Sequence, residues 1–330
     1  MGCAVVRRTR KWWIPHGGRA RYQRIAFFPA YPVLFAGAGR VLGAGESPVA
    51  WYWTGVLLSS VLYVIALAYL WRFAMLKVSA SEARWAVLFC AGYPFAIFFG
   101  LPYTESLFLL VAIAAFFHFE RREYGVAMLW GIAAGLTRPN GSIVGLALFC
   151  WWLTREAPMA WRQRTMPWAS LASALAPMVG VGLYSAFIYD LTGDALMWMW
   201  AQDRWGRPVQ NPLDVLGSLA LQLLRDPLTT IAQVPHDVLN AAAGVGTLAA
   251  SPFIAKKLGW PYAVFTSVCV LLPLTVGGLM SLGRFTSVLF PVFVWLGSAV
   301  AGPSRAVMFS AFLALQAVVA ALFFTWRPLF

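Results

Sequence analysis

Four polar islands interrupt a chain that is otherwise apolar, and they hold the residue types that a group-transfer reaction needs. They are Leu101-Pro102-Tyr103-Thr104-Glu105-Ser106, Thr137-Arg138-Pro139-Asn140-Gly141, the connector 190–237, and Ser281-Leu282-Gly283-Arg284-Phe285. Glu105 heads an apolar block, where the positive end of a helix dipole favours a carboxylate and first-turn N–H groups can bond to it. The same carboxylate, at a membrane boundary where partial desolvation tunes acidity, could orient or deprotonate a hydroxyl. Arg138 stands before Pro139, which biases it away from helix and breaks the chain there. An arginine at membrane depth costs about 2.5–3.5 kcal/mol on insertion scales and so needs an anionic partner or an aqueous cavity. Glu105 and a ligand phosphate fit that need equally. Arg284 either snorkels to the interface or joins Arg138 in clamping a phosphate, for which the planar guanidinium is suited.

The stretch from Gly193-Asp194 to Asp203, Trp205 and Arg207 mixes aromatic rings with Asp, Gln and Arg. Such a mixture suits a sugar, with rings stacked on the pyranose and polar groups on its hydroxyls, and it equally suits an interfacial helix anchored by Trp. The candidate site is therefore Glu105 and Asp203 as catalytic acid or base, with Tyr103, Arg138, Asn140, Trp205, Arg207 and Arg284 as substrate contacts.

No cofactor or metal is expected. His16, His118 and His236 stand far apart, and Cys3, Cys90, Cys150 and Cys269 lack metal or redox spacing. The chain has no phosphate loop, dinucleotide fingerprint or Gly-x-Ser-x-Gly elbow.

The elements that must position these islands belong to a membrane. With 61% hydrophobic and only 11% charged residues, the chain lies outside the balance of a soluble domain. Ten stretches lack Asp, Glu, Lys and Arg: 49–71, 85–99, 106–119, 124–137, 139–154, 165–189, 238–255, 258–283, 285–304 and 306–326. A core of about 30 Å takes about 20 helical residues. At about 1.5 Å per residue, 106–119 and 124–137 each reach only about 21 Å, so they borrow flanking residues or lie buried among their neighbours.

The net charge of +13 reads as topology rather than as nucleic-acid binding. With Arg72–Arg84 cytoplasmic, strict alternation puts eleven Lys or Arg inside and six outside, in accord with the positive-inside rule. All four islands then share the outer side, with Glu105, Asp190, Asp194, Asp203, Asp214, Asp226 and Asp237.

The expected fold is an all-α polytopic bundle of about ten spans. It comprises a basic segment 1–24, an interfacial or re-entrant segment 25–43 rich in Pro and Gly, and a membrane domain over 49–326 with the outer loop 190–237. The three Trp of that loop argue for packing rather than disorder.

Ala26-Phe27-Phe28-Pro29-Ala30-Tyr31-Pro32, Tyr93-Pro94-Phe95-Ala96-Ile97-Phe98-Phe99, Pro102-Tyr103-Thr104-Glu105-Ser106 and Thr137-Arg138-Pro139-Asn140-Gly141 together resemble the PIG-V-like family of membrane mannosyltransferases. Gly193-Asp194, Gln202, Trp205-Gly206-Arg207 and Gly283-Arg284-Phe285 are similar to the rest of its pattern, so the likeness runs over roughly 25–300.

The resemblance implies a GT-C glycosyltransferase of the GPI-anchor type. Such an enzyme moves a hexose, mannose by family, from a polyprenyl-phosphate donor to a lipid or protein acceptor. It works on the outer or lumenal face, in a bacterial plasma membrane or a eukaryotic endoplasmic reticulum membrane. The family pattern also has a first spanning helix and a Trp-Asp motif upstream of the Phe-Phe-Pro segment. Only 26 residues precede Phe27, they contain no Asp or Glu, and no spanning block lies among them. The expectation is a truncated start rather than a degenerate homologue, with a chain inactive as it stands and Glu105 or Asp203 as the fallback base. Two other classes compete: a transporter or flippase of lipid-linked sugar, and a non-catalytic subunit that keeps the enzyme fold. The gathering of polar groups on one face favours surface chemistry over a transport path.

Overall fold

The computed structural model describes residues 25–203 and 209–325, apart from the side chains of Gln202 and Asp203, so the basic segment 1–24 lies outside the described residues. Among the described residues there are sixteen α-helices, one 3-10 helix and a lone bridge between Val209 and Val276, with no strand. The protein is an all-α membrane helical bundle.

Helix α1 (Ala30–Val41) precedes α2 (Pro48–Ala74), whose cap Ser47 accepts the Ala50 N–H at 3.3 Å. Helix α3 (Ala80–Gly92) opens on a capping box between Ser79 and Glu82. Tyr93-Pro94 ends it, and a 3-10 turn (Ala96–Gly100) leads into α4 (Glu105–Glu120). There follow α5 (Tyr124–Thr137), α6 (Gly141–Arg155), α7 (Ala157–Gln163), α8 (Trp168–Thr192) and α9 (Met197–Asp203). The second half holds α10 (Pro212–Arg225), α11 (Pro227–Gln233), α12 (Pro235–Lys257), α13 (Trp260–Thr275), α14 (Leu282–Ser287), α15 (Phe290–Ala299) and α16 (Ser304–Phe324).

Four of these, α2, α8, α12 and α16, are long and apolar enough to cross a membrane. Their outward faces carry exposed side chains such as Val64, Phe187, Phe253 and Val307, which water would penalise and lipid tails accept. Helix α4 is their opposite, with fourteen of its sixteen residues buried. It packs chiefly on α2 and α5 and forms the axis of the bundle. The short block 106–119 therefore needs no lipid face, because protein surrounds it.

Helices α5 and α8 form the most extensive helix pair. A Cβ on Gly135 would run into the Pro177 carbonyl of α8, and one on Gly180 would run into the Ile132 carbonyl of α5. This is the close backbone approach that small residues permit in membrane bundles. It fixes where α5 ends, and so where Arg138 emerges.

Three sequence expectations are redrawn. The connector 190–237 is mostly helical rather than a loop: α9, α10, α11 and the start of α12 occupy it. Pro212, Pro227 and Pro235 each sit in a first helical turn, where a missing N–H costs nothing. Asn211 and Asp226 cap two of these helices by accepting the Leu213 and Thr229 N–H groups at 3.0 and 3.2 Å. The block 258–283 is broken after Thr275, where Gly277 and Gly278 adopt φ of 110° and 62°. The block 285–304 is likewise divided, since α14 ends at Ser287 and Pro291 starts α15 anew. These breaks place Arg284 on a short helix inside the bundle end.

Candidate functional site

The site is built at the N-terminal end of α4. Ser106 Oγ donates to the Phe99 carbonyl at 2.8 Å, which pins the 3-10 turn against the helix start and holds Glu105 inward. From α5, Arg138 is extended at the residue before proline, as the ring of Pro139 demands. Its Nε donates to Thr104 Oγ1 at 2.6 Å and its Nη2 pairs with Glu105 Oε1. From α14, Arg284 Nε lies 3.1 Å from the same Glu105 oxygen.

Two hydrogen bonds hold α14 in place: the Gly283 N–H donates to Asn240 Oδ1 of α12 at 2.7 Å, and Tyr93 and Thr286 share a hydroxyl bond of 2.7 Å. Gly283 admits no side chain, because the Phe95 ring occupies the space of its Cβ.

Aromatic rings wall the cluster. The Arg284 guanidinium stands 5.2 Å from the Tyr103 ring centre, 5.4 Å from Phe285 and 5.7 Å from Phe98. That of Arg138 stands 5.7 Å from Phe108 and 5.8 Å from Phe285. Each arrangement attracts the cation to the ring face.

One carboxylate thus faces two guanidiniums, with side-chain exposures of 0% for Glu105, 12% for Arg138 and 13% for Arg284. The cluster carries one positive charge in excess, in surroundings that screen it poorly. Its hydrogen bonding is also incomplete. Arg138 Nη1, Arg284 Nε and Glu105 Oε2 are buried without a hydrogen-bond partner. Arg284 Nε is near Glu105 yet not aligned for a bond, so that pair is held by charge alone. Two nitrogen donors and one carboxylate acceptor are thus left desolvated and unsatisfied, which is costly in a folded protein.

The sequence-derived residues Tyr103, Glu105, Arg138 and Arg284 come together here. Of the two readings for Arg138, pairing with Glu105 is what the structure contains, and its Nη1 is left without a partner. Glu105 does not cap α4 through its side chain; Thr104 is the cap position, and its hydroxyl is spent on Arg138. Asn140 is half-buried in the same turn as Arg138 and makes no capping bond to α6. The side chain of Asp203, and all of Trp205 and Arg207, lie outside the described residues.

Sequence reasoning missed Thr104, Asn240 and the wall formed by Phe98, Phe108 and Phe285. Asn240 had a readable signal, an amide within the apolar block 238–255.

A family model described as mannosyltransferase (PIG-V) matches residues 18–188. That span takes in Tyr103, Glu105, Arg138 and Asn140 and stops short of Arg284. No curated protein and no solved structure matches the chain.

Proposed function

Because the chain belongs to the PIG-V family of mannosyltransferases, and is thus a membrane protein serving a sugar donor and an acceptor, we propose that Arg138 and Arg284 bind the phosphate of a polyprenyl-phosphate mannose donor. The observation that carries this reading is the excess buried cation with two guanidinium nitrogens that donate to no protein atom. A phosphodiester supplies one negative charge and two acceptor oxygens, which neutralises the excess and satisfies both donors.

In the transfer step the acceptor hydroxyl attacks the anomeric carbon. A new C–O bond forms there while the bond to the phosphate oxygen breaks. The leaving polyprenyl phosphate gains charge, and the arginine pair stabilises that charge where it develops. Glu105 Oε2 accepts the hydrogen bond of the attacking hydroxyl and takes its proton. Tyr103 and Asn140 flank the pair as sugar contacts. We place this chemistry on the face opposite the basic connectors.

Titration of the full chain in nanodiscs, followed by tryptophan fluorescence, tests the reading without requiring turnover. Polyprenyl phosphate is expected to bind at least tenfold more tightly than the matching polyprenol. Charge-assisted hydrogen bonds contribute about 1.5–3 kcal/mol each, so Arg138→Gln or Arg284→Gln should weaken the phosphate lipid about 10- to 100-fold and leave the alcohol unaffected. Equal binding of phosphate and alcohol would overturn the assignment.

A further inference from the structure

A cavity of about 520 Å³ lies between α10, α12 and the turn that joins α13 to α14. Its size falls within the range of about 300–1,000 Å³ typical of small-molecule sites. Its polar lining is Gln210, Ser218, Gln222, His236, Asp237 and Asn240, set against an apolar floor that includes Leu219 and Leu279. All of these residues lie beyond the span matched by the family model.

The lining holds three amides, a hydroxyl, an imidazole and a carboxylate, and it contains no Lys or Arg. Among the described residues, none of this lining offers a phosphate a cation. Amides that both donate and accept, with one carboxylate, match vicinal hydroxyls instead. Ser218 donates to the Val215 carbonyl at 2.9 Å and His236 stands 3.6 Å from Asp237, but the side-chain amides of Gln210 and Gln222 bond to no described residue and Asn240 commits only its oxygen. The backbone is shaped for the purpose as well, since a Cβ on Gly278, which has a φ of 62°, would crowd the Gln210 amide.

One residue links the cavity to the arginine cluster. Asn240 lines the cavity and holds the N–H of Gly283, the residue before Arg284.

We propose that this cavity binds a neutral pyranose headgroup and sets it beside the phosphate site. The inference rests on the function proposed above, and it adds the ligand class and the residues that select it. A sugar here comes either from the donor or from the acceptor glycan, and both have the same hydroxyl chemistry.

The probe is methyl α-mannopyranoside, added to the full chain in nanodiscs and followed by saturation-transfer NMR. The wild type should bind it, and Gln222→Ala should weaken binding about 3- to 10-fold, as expected for a lost neutral hydrogen bond. Ser218→Leu should obstruct the mouth and abolish binding. Both positions are exposed, so neither change threatens the fold.

Loading with mannosyl-phosphoryl polyprenol then separates the sources. Displacement of the glycoside by this lipid, but not by bare polyprenyl phosphate, assigns the cavity to the donor sugar; persistence of the glycoside with both lipids assigns it to the acceptor. No glycoside signal, or equal signals from wild type and both variants, overturns the inference. If polyprenyl phosphate still binds in those samples, the arginine site stands and only the cavity reading falls. If the glycoside binds and the phosphate does not, the reverse holds.

Discussion

Helix α4 carries one glutamate at each end, and the two ends are built differently. Glu120 accepts from Lys77 Nζ at 2.5 Å, from Trp151 Nε1 at 3.3 Å and from the Tyr262 hydroxyl. Lys77 also stands 5.2 Å from the Tyr262 ring centre. One carboxylate meets one cation, and no atom of this group is buried without a partner. Glu105 meets two cations and leaves three atoms of the cluster unpartnered. Both ends are buried, charged and aromatic-walled, so those properties do not mark a site. What sets the Glu105 end apart is charge left uncancelled together with bonds left unmade, a cost that the Glu120 end avoids.

The comparison breaks most visibly when the carboxylates are removed. Glu105→Ala leaves two desolvated guanidiniums facing each other, and breaking a buried pair costs about 3–5 kcal/mol. Its melting temperature should fall well below that of Glu120→Ala, which leaves one cation rather than two without its carboxylate. Equal losses by scanning fluorimetry would mean that the two ends are alike. Next in size is a reversal of function against stability. Arg284→Gln should forfeit phosphate binding while holding or raising the melting temperature, since it removes the excess charge. Lys77→Gln should do the opposite, losing stability and keeping the phosphate lipid.

Smaller still is Gly283→Ala, which must push aside the Phe95 ring and displace Arg284. It should weaken phosphate binding several-fold, less than loss of the arginine itself, as measured in the same titration. The smallest effect concerns Glu123, in the connector after α4. Arg121 Nε donates to it at 2.8 Å, and that guanidinium first, then His118, hold its carboxyl below the usual range. A depressed folded-state pKa gives stability that is complete above the unfolded value and is lost as pH falls through the folded one. Because Glu123 is exposed, acidification should loosen only this connector, seen as faster hydrogen exchange there before the bundle changes.

Much of the site was legible in the sequence because topology in a membrane is close to arithmetic. Alternating apolar blocks deliver Glu105, Arg138 and Arg284 to one end however far apart they lie in the chain, and the structure puts their charged groups in contact. Local chemistry was readable too: Pro139 predicts the break that frees Arg138.

What stayed hidden had no local signal. A helix such as α4, buried on every side, shows no polar stripe, so its rotation and its neighbours cannot be read from periodicity. The breaks at Gly277-Gly278 and Pro291 sit inside unbroken apolar runs, where hydropathy sees a single span. The connector 190–237 looked like a loop because its prolines serve equally as helix starts and as helix breakers. The cavity between α10 and α12 joins residues from Gln210 to Met280, and only the folded arrangement brings their amides together.

The central claim is that the surplus cation at the head of α4 exists to hold a lipid phosphate. Phosphorus NMR of polyprenyl phosphate in nanodiscs with the full chain tests it most directly. The wild type should give a shifted, broadened bound resonance that Arg138→Gln and Arg284→Gln each abolish, while Lys77→Gln preserves it. A resonance identical in the wild type and both arginine variants would contradict the account.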